Sequence, residues 1–134
     1  MTDGMTKLGV VYYTGGGTTA RFADAVAEGA KSAGCDVYVH QIAGSEIQEG
    51  RWQNDSVLSE LDACDAVVFG SPTYMGGVAA QMKAFMDALA PRWYSQAWNG
   101  KRAGAFTVSA KRSGDKLNCL LECVLKCLPL AKVQ

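Results

Sequence analysis

The 134-residue sequence predicts an α/β domain, a doubly wound parallel sheet with helices on both faces. Three observations predict it. Apolar runs of strand length alternate along the chain with segments of helical periodicity. The clearest run, Ala66-Val67-Val68-Phe69-Gly70, is apolar throughout, as suits a parallel strand buried on both faces. The first run leads directly into a glycine and threonine loop that opens a helix.

The elements follow in order. Leu8 to Tyr13 is the first strand, and Thr14-Gly15-Gly16-Gly17-Thr18-Thr19 follows it at once. Phe22, Ala23, Val26, Ala27 and Ala30 place one face of the first helix on the core, and the helix ends near Ala33-Gly34, where glycine can take the left-handed position. Cys35 to Ile42 is the second strand. Ala43 to Asp55 is polar, with Gly44 and Gly50, and reads as a loop with room for one helical turn. Ser56 to Ala63 is a short amphipathic helix carrying Val57, Leu58 and Leu61, and Ala66 to Gly70 is the third strand. After the loop Ser71 to Gly77, the residues Val78, Met82, Phe85, Met86 and Leu89 recur at helical spacing up to Pro91, which blocks further helix. Arg92 to Lys101 is a connection carrying Trp93, Tyr94 and Trp98. Ala103 to Val108 is the fourth strand and Lys116 to Leu128 the fourth helix. Right-handed crossovers then fix the winding. One domain over residues 1–134 is expected from a length typical of single domains.

Composition narrows the function. Hydrophobic residues make up 49% of the chain, yet no apolar run approaches the roughly 18 residues of a membrane span. Met1-Thr2-Asp3-Gly4 lacks the basic and apolar regions of a signal peptide, so a cytoplasmic location is expected. Lys plus Arg and Asp plus Glu each total 13, which leaves no overall field for nucleic acid or an anionic membrane. A dedicated electron carrier would ordinarily use such a field to steer its protein partners. The expected partners are small molecules. Five cysteines occur, at Cys35, Cys64, Cys119, Cys123 and Cys127, without a CxxC pair. The last three are spaced by four and read as an apolar helix stripe, because neighbouring turns of one helix cannot supply a tetrahedral thiolate set. No metal is expected.

In a sheet of this kind, ligands bind beyond the carboxyl ends of the strands, where the strand order reverses. The loops after the first and third strands are therefore the places for chemistry. Thr14, Gly15, Gly16, Gly17, Thr18 and Thr19 combine hydroxyls, unhindered backbone N–H groups and a helix N-terminus, which together suit a phosphate. The loop has no lysine, so it is not a Walker A site. Gly15-x-Gly17-x-x-Ala20 matches a loose dinucleotide fingerprint, but the second strand ends His40-Gln41-Ile42, without the acid that would hold a ribose. A terminal monophosphate is the better reading, with a plain glycine turn as the alternative. Pro72, Thr73, Tyr74, Met75 and Gly76 give the second loop a stiff start, hydroxyls, an aromatic, a thioether and open backbone, and such a loop can grip the edge of a flat polar ring. An ordinary turn is the alternative there. His40 reads as a surface residue, Met82 and Met86 as core, and Trp93, Tyr94 and Trp98 as packing or subunit contacts.

Together the glycine loop and the stretch Gly70-Ser71-Pro72-Thr73-Tyr74-Met75-Gly76, followed by Gln81 to Asp87, resemble the flavodoxin-like superfamily, specifically its WrbA-type NAD(P)H:quinone oxidoreductases and close flavodoxin relatives. The resemblance implies a flavodoxin-like doubly wound sheet in the order 2-1-3-4. It implies FMN, with its phosphate in Thr14 to Thr19 and its ring against Pro72 to Gly76. It adds a third contact at the pyrimidine edge from Ser109, Ala110, Lys111, Arg112, Ser113 and Gly114. The chemistry would run on the flavin, with NADH or NADPH as reductant and a quinone or similar small molecule as acceptor, so no catalytic side chain is assigned. The family usually continues with a fifth strand and a last helix. Here Pro129 to Gln134 leaves that strand absent or a stub, which implies an uncovered edge at Ala103 to Val108 and a homo-oligomer. The alternatives are a flavodoxin-type carrier without turnover and a shortened protein that has lost flavin activity.

Overall fold

Val10 and Val11 are both fully buried although they are adjacent, because successive strand residues point to opposite faces and both faces here are covered. They belong to β1, Lys7–Tyr12, in a computed structural model that describes residues 4–112 and 115–127. α1, Thr18–Ser32, follows. It ends in a Schellman motif: Gly34 has φ 92°, Cys35 N donates to Ala30 O at 2.9 Å and Gly34 N to Lys31 O at 3.0 Å. β2, Asp36–Gln41, leads to a 3₁₀ turn at Gly44–Glu46 and a small hairpin of β3, Ile47–Gln48, and β4, Arg51–Trp52. α2, Asp55–Asp62, opens on Asn54, whose side-chain oxygen accepts from Val57 N. Then come β5, Ala66–Tyr74, β6, Gly77–Val78, α3, Ala80–Asp87, α4, Ala90–Ser95, β7, Arg102–Val108, and α5, Lys116–Cys127.

β2, β1, β5 and β7 lie side by side in that order, all parallel. This is the 2-1-3-4 order expected. β6 folds back antiparallel onto the far end of β5. On one face Val11, Val67 and Phe69 pack with Leu61 of α2, Met82 and Phe85 of α3, and Cys123 of α5. On the other, Val10 and Tyr12 pack with Ala23 of α1, flanked by Val68 and Phe106. Trp52 meets Phe85 edge-on, with centroids 4.8 Å apart, and so seats the hairpin on α3.

Several expectations need correction. The polar stretch 43–55 contains a hairpin, with Glu49 and Gly50 both at positive φ in a two-residue turn. β5 continues through Tyr74, since Ser71 and Pro72 still pair with Thr107 and Val108, and Val78 belongs to a strand rather than to the helix. Pro91 does not stop the helix: α3 has already ended at Asp87, and Pro91 sits in the first turn of α4, where its missing N–H costs nothing, so the expected connection from Arg92 begins as helix up to Ser95. Phe22 is half exposed. The buried stripe of α1 is Thr19, Ala23 and Ala27, whose small side chains let the helix sit close to the sheet and turn Phe22 outward. His40 is partly buried and bonded to Glu46 at 3.0 Å rather than free on the surface. Cys119 and Cys123 are buried as expected, and Trp98 packs in the core while Trp93 and Tyr94 are exposed. Leu128 and the stub Pro129 to Gln134 lie outside the described residues. No helix among the described residues is long and apolar enough to cross a membrane.

Candidate functional site

β1, β5 and β7 all run the same way, so the segments that follow them gather at one edge of the sheet. The first is closed by its own side chain: Gly17 N donates to Thr14 Oγ1 at 2.9 Å, which leaves the Thr14 hydroxyl proton free to donate outward. Gly17 has φ 97°, a conformation that favours glycine, and a Cβ on Gly16 or Gly17 would meet no atom within 4 Å. The loop therefore borders open space. α1 starts there with no side-chain cap and no acidic residue in its first turn, so its first amides face that space. Thr18 is exposed and Thr19 is buried.

The second segment is a hairpin tip. Tyr74 pairs with Gly77, and between them Met75 at φ 49° and Gly76 at φ 82° form a two-residue turn of the kind that needs both central residues left-handed. Pro72 is buried, Thr73 partly so, Tyr74 is exposed and Met75 is wholly exposed. The tip touches the first loop, because a Cβ on Gly15 would collide with Tyr74 Oη.

Four residues outside the expected set hold this tip in place. Ser71 Oγ accepts from Ala79 N at 2.9 Å and donates to Pro72 O, bridging the base of the hairpin. Thr107 of β7 donates to Ser71 O at 2.7 Å and lies 2.6 Å from the Thr73 hydroxyl. From α5, Asn118 donates to Gly76 O, and Glu122 accepts from Val78 N at 3.0 Å. Asn118 and Glu122 are spaced by four, a polar pair within the otherwise apolar run from Leu117 to Leu125, and that spacing is the signal sequence reasoning passed over. Cys119 Sγ sits 3.2 Å from Thr107 Oγ1. A hydrogen bond from Cys123 pulls the Cys119 thiol down to about 6 against the effect of burial, aided by Thr107 and Thr73.

The third segment follows β7. Ser109 Oγ donates to Lys111 O at 2.6 Å, and Lys116 Nζ donates to Arg112 O at 2.9 Å. Ala110, Lys111 and Arg112 are exposed, while Ser113 and Gly114 lie outside the described residues. Beside the hairpin tip a cavity of about 590 Å³ opens between Tyr13, Tyr74, Met75, Gln81, Lys83 and Glu122. Another, of about 510 Å³, lies between Thr6, Asp65 and Arg102 at the opposite edge, where strands begin, away from all three segments. Among the described residues no group of three His, Cys, Asp or Glu could hold a metal ion.

A parallel sheet ordered β2-β1-β5-β7, with an uncapped helix start and a glycine hairpin side by side at its carboxyl edge, defines a flavodoxin-like α/β protein. Residues 13–129 match the family model described as NADPH-dependent FMN reductase, and the chain belongs to that family. It is 40% identical over 112 residues to Flavodoxin FldP of Pseudomonas aeruginosa, covering 84% of this chain and 55% of that protein. It is 33% identical over 138 residues to an NAD(P)H dehydrogenase (quinone) of Azorhizobium caulinodans, covering 96% of this chain and 69% of the relative. The solved structure of a flavodoxin, WrbA-like protein from Agrobacterium tumefaciens superimposes with a TM-score of 0.80 at 42% identity, over 94% of this chain and 74% of that one. The chain thus spans between about half and three quarters of the length of these three proteins.

Proposed function

We propose that this domain holds FMN across the first two segments and uses it to move electrons from NADH or NADPH to a quinone or a similar small acceptor. The observation that carries the reading is the uncapped start of α1, bordered by open space at Gly16 and Gly17, lying against the Tyr74 hairpin on a nearby strand. These residues fit the cofactor. The amides of residues 15–19 and the hydroxyls of Thr14 and Thr18 would bind a phosphate, and the backbone of Pro72, Thr73, Tyr74, Met75 and Gly76 would lie along a ring edge. Ser109, Ala110, Lys111, Arg112, Ser113 and Gly114 would close the third side, with two cations among them. Bound there, FMN would supply the redox chemistry. The protein's part is to position it, and the Ser71, Thr107, Asn118 and Glu122 contacts give the ring-side hairpin a fixed shape without help from a ligand.

The same reading takes residues 1–134 as one FMN domain that works in the cytoplasm as a homo-oligomer. In support, no disulfide joins the described cysteines Cys35, Cys64, Cys119 and Cys123, in keeping with a reducing compartment. Phe22, Trp93, Leu117 and Leu121 expose large apolar side chains that a second copy could cover. Light scattering at several concentrations tests the assembly, and a chain that stays monomeric throughout refutes it.

The test of the site compares FMN with riboflavin by fluorescence quenching. Charge-assisted hydrogen bonds contribute about 1.5–3 kcal/mol each, so two of them separate the ligands by more than about tenfold. Equal affinities refute a phosphate site in the first loop. Oxidation of NADH or NADPH with a benzoquinone then tests the activity. The 40% identity to a protein named flavodoxin favours a second reading, an electron carrier, and tight FMN binding without nicotinamide oxidation would select it.

A further inference from the structure

Two thiols that the proposed flavin chemistry does not use lie against the base of the ring-side hairpin. Cys119 and Cys123 are buried on successive turns of α5, and Cys123 donates a hydrogen bond to the Cys119 sulfur. Thr107 Oγ1 lies 3.2 Å from the same sulfur, and the Thr73 hydroxyl also favours its charged form. These donors pull the Cys119 thiol down to about 6 against the effect of burial, so at neutral pH it supplies the thiolate, the form that reacts with oxidants.

The residues next to the two sulfurs carry the consequence. Asn118 and Glu122 each precede one of the cysteines, and they are the groups that hold Gly76 O and Val78 N of the hairpin tip. Residues four apart on a helix have Cβ atoms about 5–6 Å apart, whereas a disulfide needs them at about 3.5–4.5 Å. The turn from 119 to 123 must therefore tighten by about 1–2 Å to accept the bond. Glu122 accepts from Val78 N at 3.0 Å, and a shift of about 1 Å carries that contact out of hydrogen-bond range. Leu117 and Leu121, on the outer side of α5, are exposed, so opening the turn to an oxidant breaks contacts on its inner side only.

We propose that a hydroperoxide converts Cys119 and Cys123 into a reversible disulfide, which withdraws Asn118 and Glu122 from the hairpin tip and lowers the affinity of the site for FMN. The Cys119 thiolate attacks one peroxide oxygen, the O–O bond breaks, and the departing hydroxide takes up the proton that Cys119 lost. The Cys123 thiol then attacks the sulfenic sulfur, the S–O bond breaks, and water leaves. Two thiols and hydrogen peroxide thus give a disulfide and two waters. Intracellular disulfides of this kind are transient and redox-sensing. The effect on FMN rests on the reading given above, whereas the bond itself does not.

The test treats the full chain, without FMN, with hydrogen peroxide. Trypsin cuts after Lys116 and Lys126, so one peptide, Leu117 to Lys126, holds both cysteines and excludes Cys127. The expected product is that peptide lacking two hydrogens, together with amide exchange at Val78 about tenfold faster than in the reduced chain, since its acceptor has moved away. Dithiothreitol should reverse both changes, which separates the bond from oxidation of the exposed Met75, a lesion repaired only by its own reductases. The oxidised chain should bind FMN about tenfold more weakly, as the loss of a charge-assisted hydrogen bond implies. Cys123→Ala and Cys119→Ala should each bind FMN within about twofold of the parent. Neither should change its Val78 exchange or FMN affinity after peroxide. A peptide that keeps its hydrogens or gains only oxygen overturns the proposal, and so does a disulfide that leaves Val78 exchange or FMN affinity unaltered. If the reduced parent binds no FMN, the flavin reading fails by itself and the switch is judged by exchange at Val78: acceleration that dithiothreitol reverses sustains it, and its absence overturns it. If neither variant folds, the parent before and after dithiothreitol decides by the same two readouts.

Discussion

Gly70→Ala adds one methyl group at the point where the sheet has least room for it. Gly70 sits in β5 between Tyr12 on one side and Phe106 on the other, and the Phe106 ring lies over it. A Cβ there would be 2.6 Å from both Cε1 and Cε2 of that ring, and nearer still to Cζ, where ordinary contact begins at 3.4 Å. Phe106 must therefore withdraw by about 1 Å or leave its rotamer, since both strands are pinned by their ladders, and overpacking of this kind costs about 1–3 kcal/mol. The reduced freedom of the unfolded chain returns about 0.4–1 kcal/mol. The expected net loss is about 1.5 kcal/mol, read as a lower urea midpoint at unchanged slope. Because the neighbouring pair in register is Ser71 with Thr107, the same displacement should weaken FMN binding. Trimming the ring in Gly70→Ala/Phe106→Leu should recover at least half of the difference between Gly70→Ala and the parent. A single variant within about 0.5 kcal/mol of the parent, or a double variant less stable than the single, would show that the glycine is not there to make room for the ring.

Gly76→Val forces a branched residue to φ 82° and should impair FMN binding far more than Met82→Leu, which roughly conserves volume in the core and should cost less than about 1.5 kcal/mol; a flavin titration with the opposite ranking removes the hairpin from the site. Burial acts to raise the Glu46 carboxyl, but the Ala43 N–H, Asn54 and His40 together hold it below the ordinary range. Its contribution to stability is therefore complete above the unfolded-state value of about 4.3 and is lost as pH falls through the lower folded value. Glu46→Gln should cost about 1–3 kcal/mol at pH 7 and flatten the stability profile below about pH 5, whereas parallel profiles for parent and variant would contradict the assignment. Thr107→Val keeps the shape of the side chain and removes the hydroxyl that serves Ser71 O and Thr73, so it should destabilise by about 1–3 kcal/mol and raise the FMN Kd severalfold with an unchanged far-UV spectrum; an unaltered Kd would mean the hairpin tip needs no support from β7.

The large periodic features were legible in the sequence. Ala66-Val67-Val68-Phe69 could be read as a strand buried on both sides because nothing polar interrupts it, and Gly34 marked the end of α1 because only the Schellman geometry there calls for a left-handed residue. The hairpin at Ile47–Trp52 was hidden because two-residue strands show no alternation, although Glu49-Gly50 is a plausible two-residue turn. Pro72 reads locally as the stiff start of a loop, yet it stays in the sheet, because β1 pairs no further than Gly70 and position 72 has a ladder partner on one side only, where it lies opposite Val108. The segments expected at the site did come together at one edge, apart from Ser113 and Gly114, which lie outside the described residues. The residues that brace them were invisible for another reason. Thr107, Asn118 and Glu122 act across 36 to 44 positions of sequence, and no local pattern encodes a contact of that reach.

That reach also bears on the order in which the molecule is made. Synthesis runs from the N-terminus, so β1, the Thr14 to Thr19 segment, β5 and the hairpin tip all leave the ribosome well before α5 does. Until Asn118 and Glu122 emerge, Gly76 O and Val78 N have no partners from that helix, and the tip is braced only by its own ladder, Ser71 and Thr107. On the proposed FMN site, a nascent chain would present the amides of the Thr14 to Thr19 segment early, while the hairpin tip matures only when α5 docks on β7. Chains stalled before residue 118 should be flavin-poor even though every residue expected to touch the first two parts of the cofactor is already present.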